Sequence, residues 1–293
     1  VVARFDPETY SDAVAFARIG EGSLGGKARG LAFMNSMILK HRLYDKHANV
    51  RIMIPRSVVI ATDYFDDFIR LNGLKYIISQ EFSDEEILSE FVSSTVPARL
   101  QQELKAYIQT VRTPLAVRSS SKLEDSHYQP FAGIYSTYMI PYVDNGDQML
   151  RLLLKAVKSV YASVYFATSR AYLSSSQNLI SEEKMAVIIQ EVCGTEQDGL
   201  FFPTFSGVAR SINYYPIGDE KAEEGIVNLA LGLGKYIVDG GMTLRFSPYH
   251  PNQVLQTSEM EIALKETQTR FYALDLRLSL IHISEPTRRV VIS

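Results

Sequence analysis

The fold is decided by one stretch of the sequence, Pro114 to Pro141, which reads PLAVRSSSKLEDSHYQPFAGIYSTYMIP. Its pattern predicts a short buried strand ending at Arg118, a serine-rich polar loop, and a longer strand beginning near Phe131. A loop of about a dozen residues is longer than most connections, and such loops commonly carry function. A guanidinium and several hydroxyls are expected together at one strand end, where they suit phosphate oxygens. An ion pair of Arg118 with Glu124 or Asp125 is an equally good interpretation.

A glycine-rich stretch lies upstream, at Ile19 to Met34, and reads IGEGSLGGKARGLAFM. Apolar residues recur at helical spacing from Ala28 to Leu43, so the glycines are expected to open a helix. Backbone amides at a helix start, together with the side chain of Lys27, are suited to face an anion. A flexible loop carrying a solvated lysine is the competing interpretation.

Two familiar phosphate-binding motifs do not fit this stretch. Gly20, Gly22 and Gly25 satisfy G-x-G-x-x-G, but a dinucleotide fold also needs a preceding strand and an acidic residue about 20 positions later, where this pattern still predicts helix. The P-loop pattern fails because Glu21 stands at its first glycine and Ala28 replaces the Ser or Thr that would hold magnesium.

The remaining pattern alternates helices and strands. Two strand pieces are expected around a bend at Pro55. Helices are expected over Asp63 to Thr110, one of them starting at Ser83 to Glu86. One long amphipathic helix is expected over Asp147 to Leu173. The apolar run Met185 to Val192 predicts a strand buried on both faces. Together these elements indicate an α+β domain with a nucleotide-sized cleft.

Composition narrows the classes of function. The chain has 293 residues, 46% of them hydrophobic, which suffices for a sizeable core in one large domain or two modest ones. A formal net charge of -3 provides no general attraction to nucleic acid or to an anionic membrane. The lone Cys193 excludes an internal disulfide and a cysteine-based zinc cluster, and we expect it to be a small buried hydrophobe. These features favour a cytoplasmic protein.

The last residues, 278–293, read LSLIHISEPTRRVVIS. Leu278 to Arg288 resemble one reading frame of a transposon-end adapter used in DNA sequencing libraries, so the natural sequence is expected to be interrupted after about Arg277. The alternative interpretation is a terminal strand from Leu278 followed by a Glu-Pro-Thr turn.

Four segments taken together resemble a known family: LGGKARGL, LAVRSSSKLEDSHYQPFAGIYSTY, IIQEV and LGLGKYIVDGG. In order and spacing, over most of Ile19 to Gly241, they are similar to the nucleotide-binding domain of phosphoenolpyruvate synthase and pyruvate phosphate dikinase. The specific signature is V-R-S-S, then E-D, then F-A-G. The resemblance implies an α+β fold of the ATP-grasp type, incomplete at its C-terminus, with a first lobe over 1–113, a second lobe over 114–277 and the tail at 278–293.

The resemblance also implies roles for individual residues. Lys27 would contact the ATP phosphates, and Arg118 would stabilise the charge of the transferring phosphoryl group. The turn Phe131-Ala132-Gly133 would close over the triphosphate, where Gly133 allows close approach of the backbone. The adenine would be read by backbone groups of one strand segment, Gln190, Glu191 and Val192.

The implied reaction uses ATP and Mg²⁺. ATP phosphorylates a histidine on a separate domain and leaves AMP, and another domain passes one phosphoryl group to pyruvate; ATP, pyruvate and water thus give AMP, phosphoenolpyruvate and phosphate. Neither domain is expected in this chain, so the fragment alone should be inactive. The family's D-x-E pair for magnesium and its nearby Q-x-R motif are expected beyond Arg277, so the metal ligands are not assigned. The five histidines lack the phosphohistidine context: His41, His47, His127, His250 and His282.

The sequence departs from the family at two places. Lys235 stands after G-L-G, where the synthase usually has glutamate, which reverses a charge near the expected metal and phosphates. Ser121 follows V-R-S-S, where alanine is more usual. Two alternatives therefore stay open: a dikinase acting on another acceptor, such as a glucan or a small-molecule hydroxyl, and a non-catalytic ATP-binding regulatory module.

Overall fold

A computed structural model of the protein describes residues 2–10, 16–78, 80–121, 135–175, 183–277 and 287–291. The chain forms two compact units, Val1–Val192 and Cys193–Ser293. The predicted lobe boundary between 113 and 114 differs from this division, because the strand that follows residue 114 belongs to the sheet of the first unit. Cys193 is exposed, so the expectation that it is buried was wrong.

The first unit contains a six-stranded sheet with the order β1-β2-β3-β6-β4-β5. Strands β1, β2 and β3 run parallel to one another, whereas β6 is antiparallel to both β3 and β4, and β5 is antiparallel to β4. The strands are β1 (Ala3–Arg4), β2 (Phe16–Ile19), β3 (Ser57–Ile60), β4 (Leu115–Ser121), β5 (Thr137–Ile140) and β6 (Met185–Glu191).

In the described residues of this unit, six α-helices accompany the sheet: α1 (Gly25–Lys40), α2 (Thr62–Leu71), α3 (Asp84–Ser93), α4 (Ala98–Ile108), α5 (Gly146–Ala162) and α6 (Ala167–Ser175). The predicted helix start at Ser83 is confirmed, because its side chain and that of Glu86 form a capping box at α3. The glycine stretch does open a helix, and α1 begins at Gly25. The single long helix predicted over Asp147 to Leu173 is instead two helices, since the chain leaves the α-helical path at 163–166.

The core of this unit lies around β6. Its residues Val187, Ile188 and Ile189 are fully buried, which confirms the prediction of a strand covered on both faces. One side of the unit is filled by aromatic side chains, with the ring centroids of Phe68 5.7 Å from Phe91 and 5.5 Å from Tyr161. Each fully buried side chain of this size contributes roughly 1.5–3 kcal/mol to the free energy of folding.

The serines after Arg118 form part of the strand, so the expectation of a polar loop there was wrong. Ser119, Ser120 and Ser121 continue β4, are fully buried, and pair with the residues of β6. Buried hydroxyls are tolerated where they are hydrogen-bonded, and those of Ser119 and Ser120 have partners in α1 and in the loop before it. Residues 122–134, including Phe131, lie outside the described residues, and the next strand begins at Thr137.

The second unit contains two antiparallel sheets, with orders β11-β10-β9 and β13-β12-β8-β7. Its elements are β7 (Thr195–Gln197), β8 (Leu200–Phe202), β9 (Phe205–Arg210), β10 (Ile226–Leu231), α7 (Lys235–Val238), β11 (Leu244–Phe246), α8 (Met260–Glu266), β12 (Arg270–Asp275) and β13 (Thr287–Val291). The backbone of β13 pairs with β12, so a strand lies within the tail 278–293, and it overlaps the adapter-like segment at Thr287 and Arg288. The origin of that segment stays a prediction.

Among the helices that the structure describes, none combines the length and the apolar character needed to cross a membrane.

A buried ion pair anchors the connection between β9 and β10. The Arg245 guanidinium donates to both carboxylate oxygens of Glu220, at 3.1 and 3.0 Å, and the Asn213 side-chain amide donates to the same carboxylate at 2.9 Å. The Glu220 side chain is only 4% exposed. The Arg245 guanidinium holds the pKa of the Glu220 carboxyl below its ordinary value. Removing one partner of a buried ion pair leaves the other charge buried without compensation. We therefore expect the Arg245–Glu220 pair to contribute to the stability of this unit.

We expect Arg245→Met to destabilise the protein by about 3 kcal/mol, because Glu220 would stay buried without its cation. Lys265→Met is the matched control: the Lys265–Glu261 pair is exposed on α8, and its loss should cost less than about 0.5 kcal/mol. Urea unfolding followed by circular dichroism measures both. Since the pKa of Glu220 is lowered in the folded state, the pair's contribution should be complete above about pH 4.3 and shrink as the pH falls below it. Equal losses in the two variants would contradict this assignment.

Candidate functional site

Helix α1 rests on β4 through a very close backbone contact. Gly25 has a φ of +70°, and a Cβ added there would come within 1.9 Å of the Ser120 carbonyl oxygen. The Ser120 hydroxyl accepts a hydrogen bond from the Ala28 amide at 3.0 Å and donates to the Leu24 carbonyl at 2.8 Å. One serine of the V-R-S-S-S segment thus holds the first turn of the helix that follows the glycines.

Lys27 lies in this first turn, and its ammonium donates to the Ser119 hydroxyl at 3.1 Å. The first turn contains no acidic residue, and Leu24 before it provides no side-chain cap. The start of a helix carries partial positive charge, so a lysine there adds to the positive potential instead of neutralising it. This end of α1 is therefore suited to attract an anion.

Arg118 is partly buried in β4, one residue before the serine that Lys27 contacts. Its guanidinium donates to the Gln190 side-chain oxygen at 3.3 Å, and the Gln190 amide donates to the Ser57 hydroxyl at 3.1 Å. Gln190 pairs with both Ser57 and Ala116, so these side chains share one face of the sheet with Arg118. The structure thus joins Arg118 and Gln190 through their side chains. The competing ion-pair partners Glu124 and Asp125 lie outside the described residues.

Two of the backbone amides expected to read adenine already have acceptors. Strand β6 lies between β3 and β4, where the Glu191 amide donates to the Arg56 carbonyl and the Val192 amide donates to the Pro114 carbonyl, each at 2.9 Å. The Glu191 side chain pairs with the Arg56 guanidinium at 2.5 Å. If this segment binds adenine through its backbone, it must use backbone groups other than these two amides.

The glycine-rich loop also uses its amides internally. The Asp63 carboxylate accepts hydrogen bonds from the amides of Glu21, at 2.9 Å, and Gly22, at 3.0 Å, and the Thr62 hydroxyl accepts one from Ser23 at 3.0 Å. The expectation that the amides of this turn face an external anion is therefore wrong for these three groups. Their acceptors belong to the start of α2.

The other predicted site residues are located as follows. The turn Phe131-Ala132-Gly133 lies outside the described residues. Lys235 begins α7 in the second unit, where its ammonium lies 3.4 Å from the Asp239 carboxylate and 5.7 Å from the centre of the Tyr272 ring. Within the part of the chain that the structure describes, no three His, Cys, Asp or Glu side chains come together as a metal site requires.

Comparison with known proteins is consistent with this geometry. Residues 21–283 match the family described as the pyruvate phosphate dikinase, AMP/ATP-binding domain. The chain belongs to this family. The match includes the glycine-rich loop, Lys27, β4 and β6, which are the elements that form the candidate site.

Relatives of this AMP/ATP-binding domain are distant. The chain is 26% identical over 233 residues to the uncharacterized phosphotransferase YvkC of Bacillus subtilis, covering 78% of this chain and 24% of the relative. It is 24% identical over 279 residues to phosphoenolpyruvate synthase of Aeropyrum pernix, covering 86% and 30%. A probable phosphoenolpyruvate synthase of Staphylothermus marinus is 25% identical over 217 residues, covering 66% and 24%. The chain thus spans less than a third of each relative.

Sequence reasoning missed the residues that hold the site together. Thr62 and Asp63 follow a buried strand in the pattern V-V-I-A-T-D, which signals a helix start but does not indicate what the side chains bind. Ser57 and the side chain of Gln190 are far apart in the sequence and meet only through strand pairing. The sequence shows Ser120 as a polar residue, but its role under α1 depends on a hydrogen bond to Leu24, 96 residues away in the chain.

We expect Gly25→Ala to destabilise the protein by about 3 kcal/mol or more, because the methyl group would overlap the Ser120 carbonyl and the residue would keep a positive φ. Gly30→Ala is the control, since the same helix leaves open space there and alanine should stabilise it by roughly 0.5–1 kcal/mol. Thermal unfolding of the two variants makes the measurement. Similar stability of both would argue against the close contact between α1 and β4.

Proposed function

We propose that the chain is the ATP-binding part of a phosphoenolpyruvate synthase-like dikinase with an ATP-grasp fold. The observation that carries this proposal is the contact of Lys27, in the first turn of α1, with Ser119 of β4, the residue that follows Arg118. The positive charges of Lys27, Arg118 and the helix start suit the phosphates of ATP. Membership of the AMP/ATP-binding domain family supports the choice of nucleotide.

In this proposal the side chains act by charge and position. Lys27 binds phosphate oxygens as a point charge, and Arg118 stabilises the charge that develops on the transferring phosphoryl group. The fork of the guanidinium can bind two oxygens at once, and its contact with Gln190 fixes its orientation. Gly133 and the segment Gln190 to Val192 complete the proposed nucleotide site, over the triphosphate and at the adenine respectively.

The complete reaction needs parts that this chain does not include. We propose that the whole protein transfers a phosphoryl group from ATP to a histidine on another domain and then to pyruvate, with water as the second acceptor. The chain alone should therefore bind ATP without turnover. Mg²⁺ commonly binds through one or two carboxylates and the substrate phosphates. Among the described residues we assign it no ligand, and we derive no step through it.

A second candidate is an ATP-binding regulatory module, which Lys235 favours. A lysine in place of the usual glutamate reverses the charge expected beside the metal and phosphates, and here it is engaged with Asp239 and Tyr272. AMP formation by the complete protein separates the candidates. Production of AMP with pyruvate supports the synthase, production only with a glucan or another hydroxyl acceptor supports a related dikinase, and no production with any acceptor supports the regulatory module.

We expect Lys27→Ala and Arg118→Ala each to weaken ATP binding by roughly ten- to a hundredfold, because each removes a charge-assisted contact worth about 1.5–3 kcal/mol. Arg29→Ala, an exposed cation in the same helix, is the control and should change the affinity by less than about threefold. Isothermal titration calorimetry of the 293-residue chain measures all three. Unchanged affinity in both site variants would refute the phosphate site.

A further inference from the structure

The loop between β2 and α1, residues 20–24, is folded around the first turn of α2. Its start is tied to β3, where the Ala61 amide donates to the Ile19 carbonyl at 2.8 Å. Its middle is bound by the Asp63 carboxylate through the amides of Glu21 and Gly22. Two further hydrogen bonds join the loop to α2, because the Thr62 amide donates to the Ser23 carbonyl and the Thr62 hydroxyl accepts from the Ser23 amide, at 3.0 Å each.

We infer that Asp63 is a positioning residue that latches this loop and thereby sets the place of Lys27. The inference rests on the proposed function, since it concerns the same phosphate site. Lys27 comes four residues after Ser23, and between them Gly25 is held against Ser120. A loop that is fixed at both ends determines where the first turn of α1 begins. The latch therefore orients the lysine ammonium toward the Ser119 hydroxyl before any nucleotide binds.

The contact of the Asp63 carboxylate with these backbone amides allows a second interpretation. In it, the carboxylate is an internal anion that occupies a binding site for phosphate. The packing argues against this. A Cβ on Gly22 would come within 2.6 Å of the Asp63 amide nitrogen and 2.7 Å of the Thr62 hydroxyl, and one on Gly20 within 2.6 Å of the Asp63 carboxylate. The Asp63 side chain and the first turn of α2 thus lie directly against the loop. The Asp63 carboxylate is also favourably placed at the positive end of its own helix.

The two interpretations of Asp63 predict opposite effects on nucleotide affinity. If Asp63 is a latch, its removal loosens the loop, disperses Lys27 over several positions and weakens binding. If Asp63 occupies a phosphate site, its removal empties that site and strengthens binding. The sign of the change in the dissociation constant for ATP therefore distinguishes them.

The experiment uses the 293-residue chain and its Asp63→Ala, Asp63→Asn and Asp67→Ala variants. Hydrogen–deuterium exchange without nucleotide reports the amides of Glu21 and Gly22, and calorimetry reports ATP affinity. We expect Asp63→Ala to exchange these amides at least tenfold faster and to weaken ATP binding at least tenfold. Asp63→Asn keeps one acceptor oxygen and should give an intermediate result. Asp67→Ala is the matched control in the same helix, because Asp67 pairs with Arg70 and should alter neither measurement.

Three outcomes would overturn the latch: unprotected amides in the unmodified chain, tighter ATP binding by Asp63→Ala, or unchanged affinity despite faster exchange. If Asp63→Ala does not fold, the asparagine variant decides by the same criteria. The exchange measurement needs no nucleotide. A chain that binds no ATP but shows protected amides in the unmodified form and exposed ones in Asp63→Ala would therefore refute the proposed function while leaving the latch in place.

Discussion

The candidate site depends on the close approach of α1 to β4. Gly25 brings the backbone of the helix start against the Ser120 carbonyl, at a distance that no side chain would permit. Because Ser120 then satisfies the Ala28 amide and binds the Leu24 carbonyl, the first turn of α1 is held at one position on the sheet. The ammonium of Lys27 reaches β4 only because that turn is held there.

The electrostatic potential at the start of α1 depends on which backbone amides already donate hydrogen bonds to protein groups. The loop before α1 donates three amides to Asp63 and Thr62 of α2, so its partial positive charge is already compensated. The first turn of α1 has no acidic residue and contains Lys27. Positive potential is thereby concentrated at Lys27, beside Ser119 of β4. In the proposed phosphate site, Arg118 is the second cation. Such an arrangement does not favour the folded state, and arrangements of this kind are typical of binding sites.

Both units contain polar side chains that are joined in hydrogen-bond networks. In the first unit, Arg118, Gln190 and Ser57 form a chain of hydrogen bonds on one face of the sheet. In the second, Glu220 receives hydrogen bonds from Arg245 and from neighbours in the β9–β10 connection. Satisfied networks of this kind stabilise one arrangement over others, because each alternative would leave a buried donor or acceptor without a partner. The first network keeps Arg118 at the proposed phosphate site.

The amino-acid sequence alone determined the family, the helix start at Ser83 and the central strand at Met185, because these depend on local patterns and on the resemblance of ordered motifs. It misassigned the serines of β4 and the amides of the glycine-rich loop, which looked polar and therefore exposed. Only the tertiary structure decided that the serines are buried and that the three loop amides are paired. Their partners lie 39 to 96 residues away in the chain. A hydrogen bond across that separation depends on strand order and helix packing, which local sequence patterns do not encode.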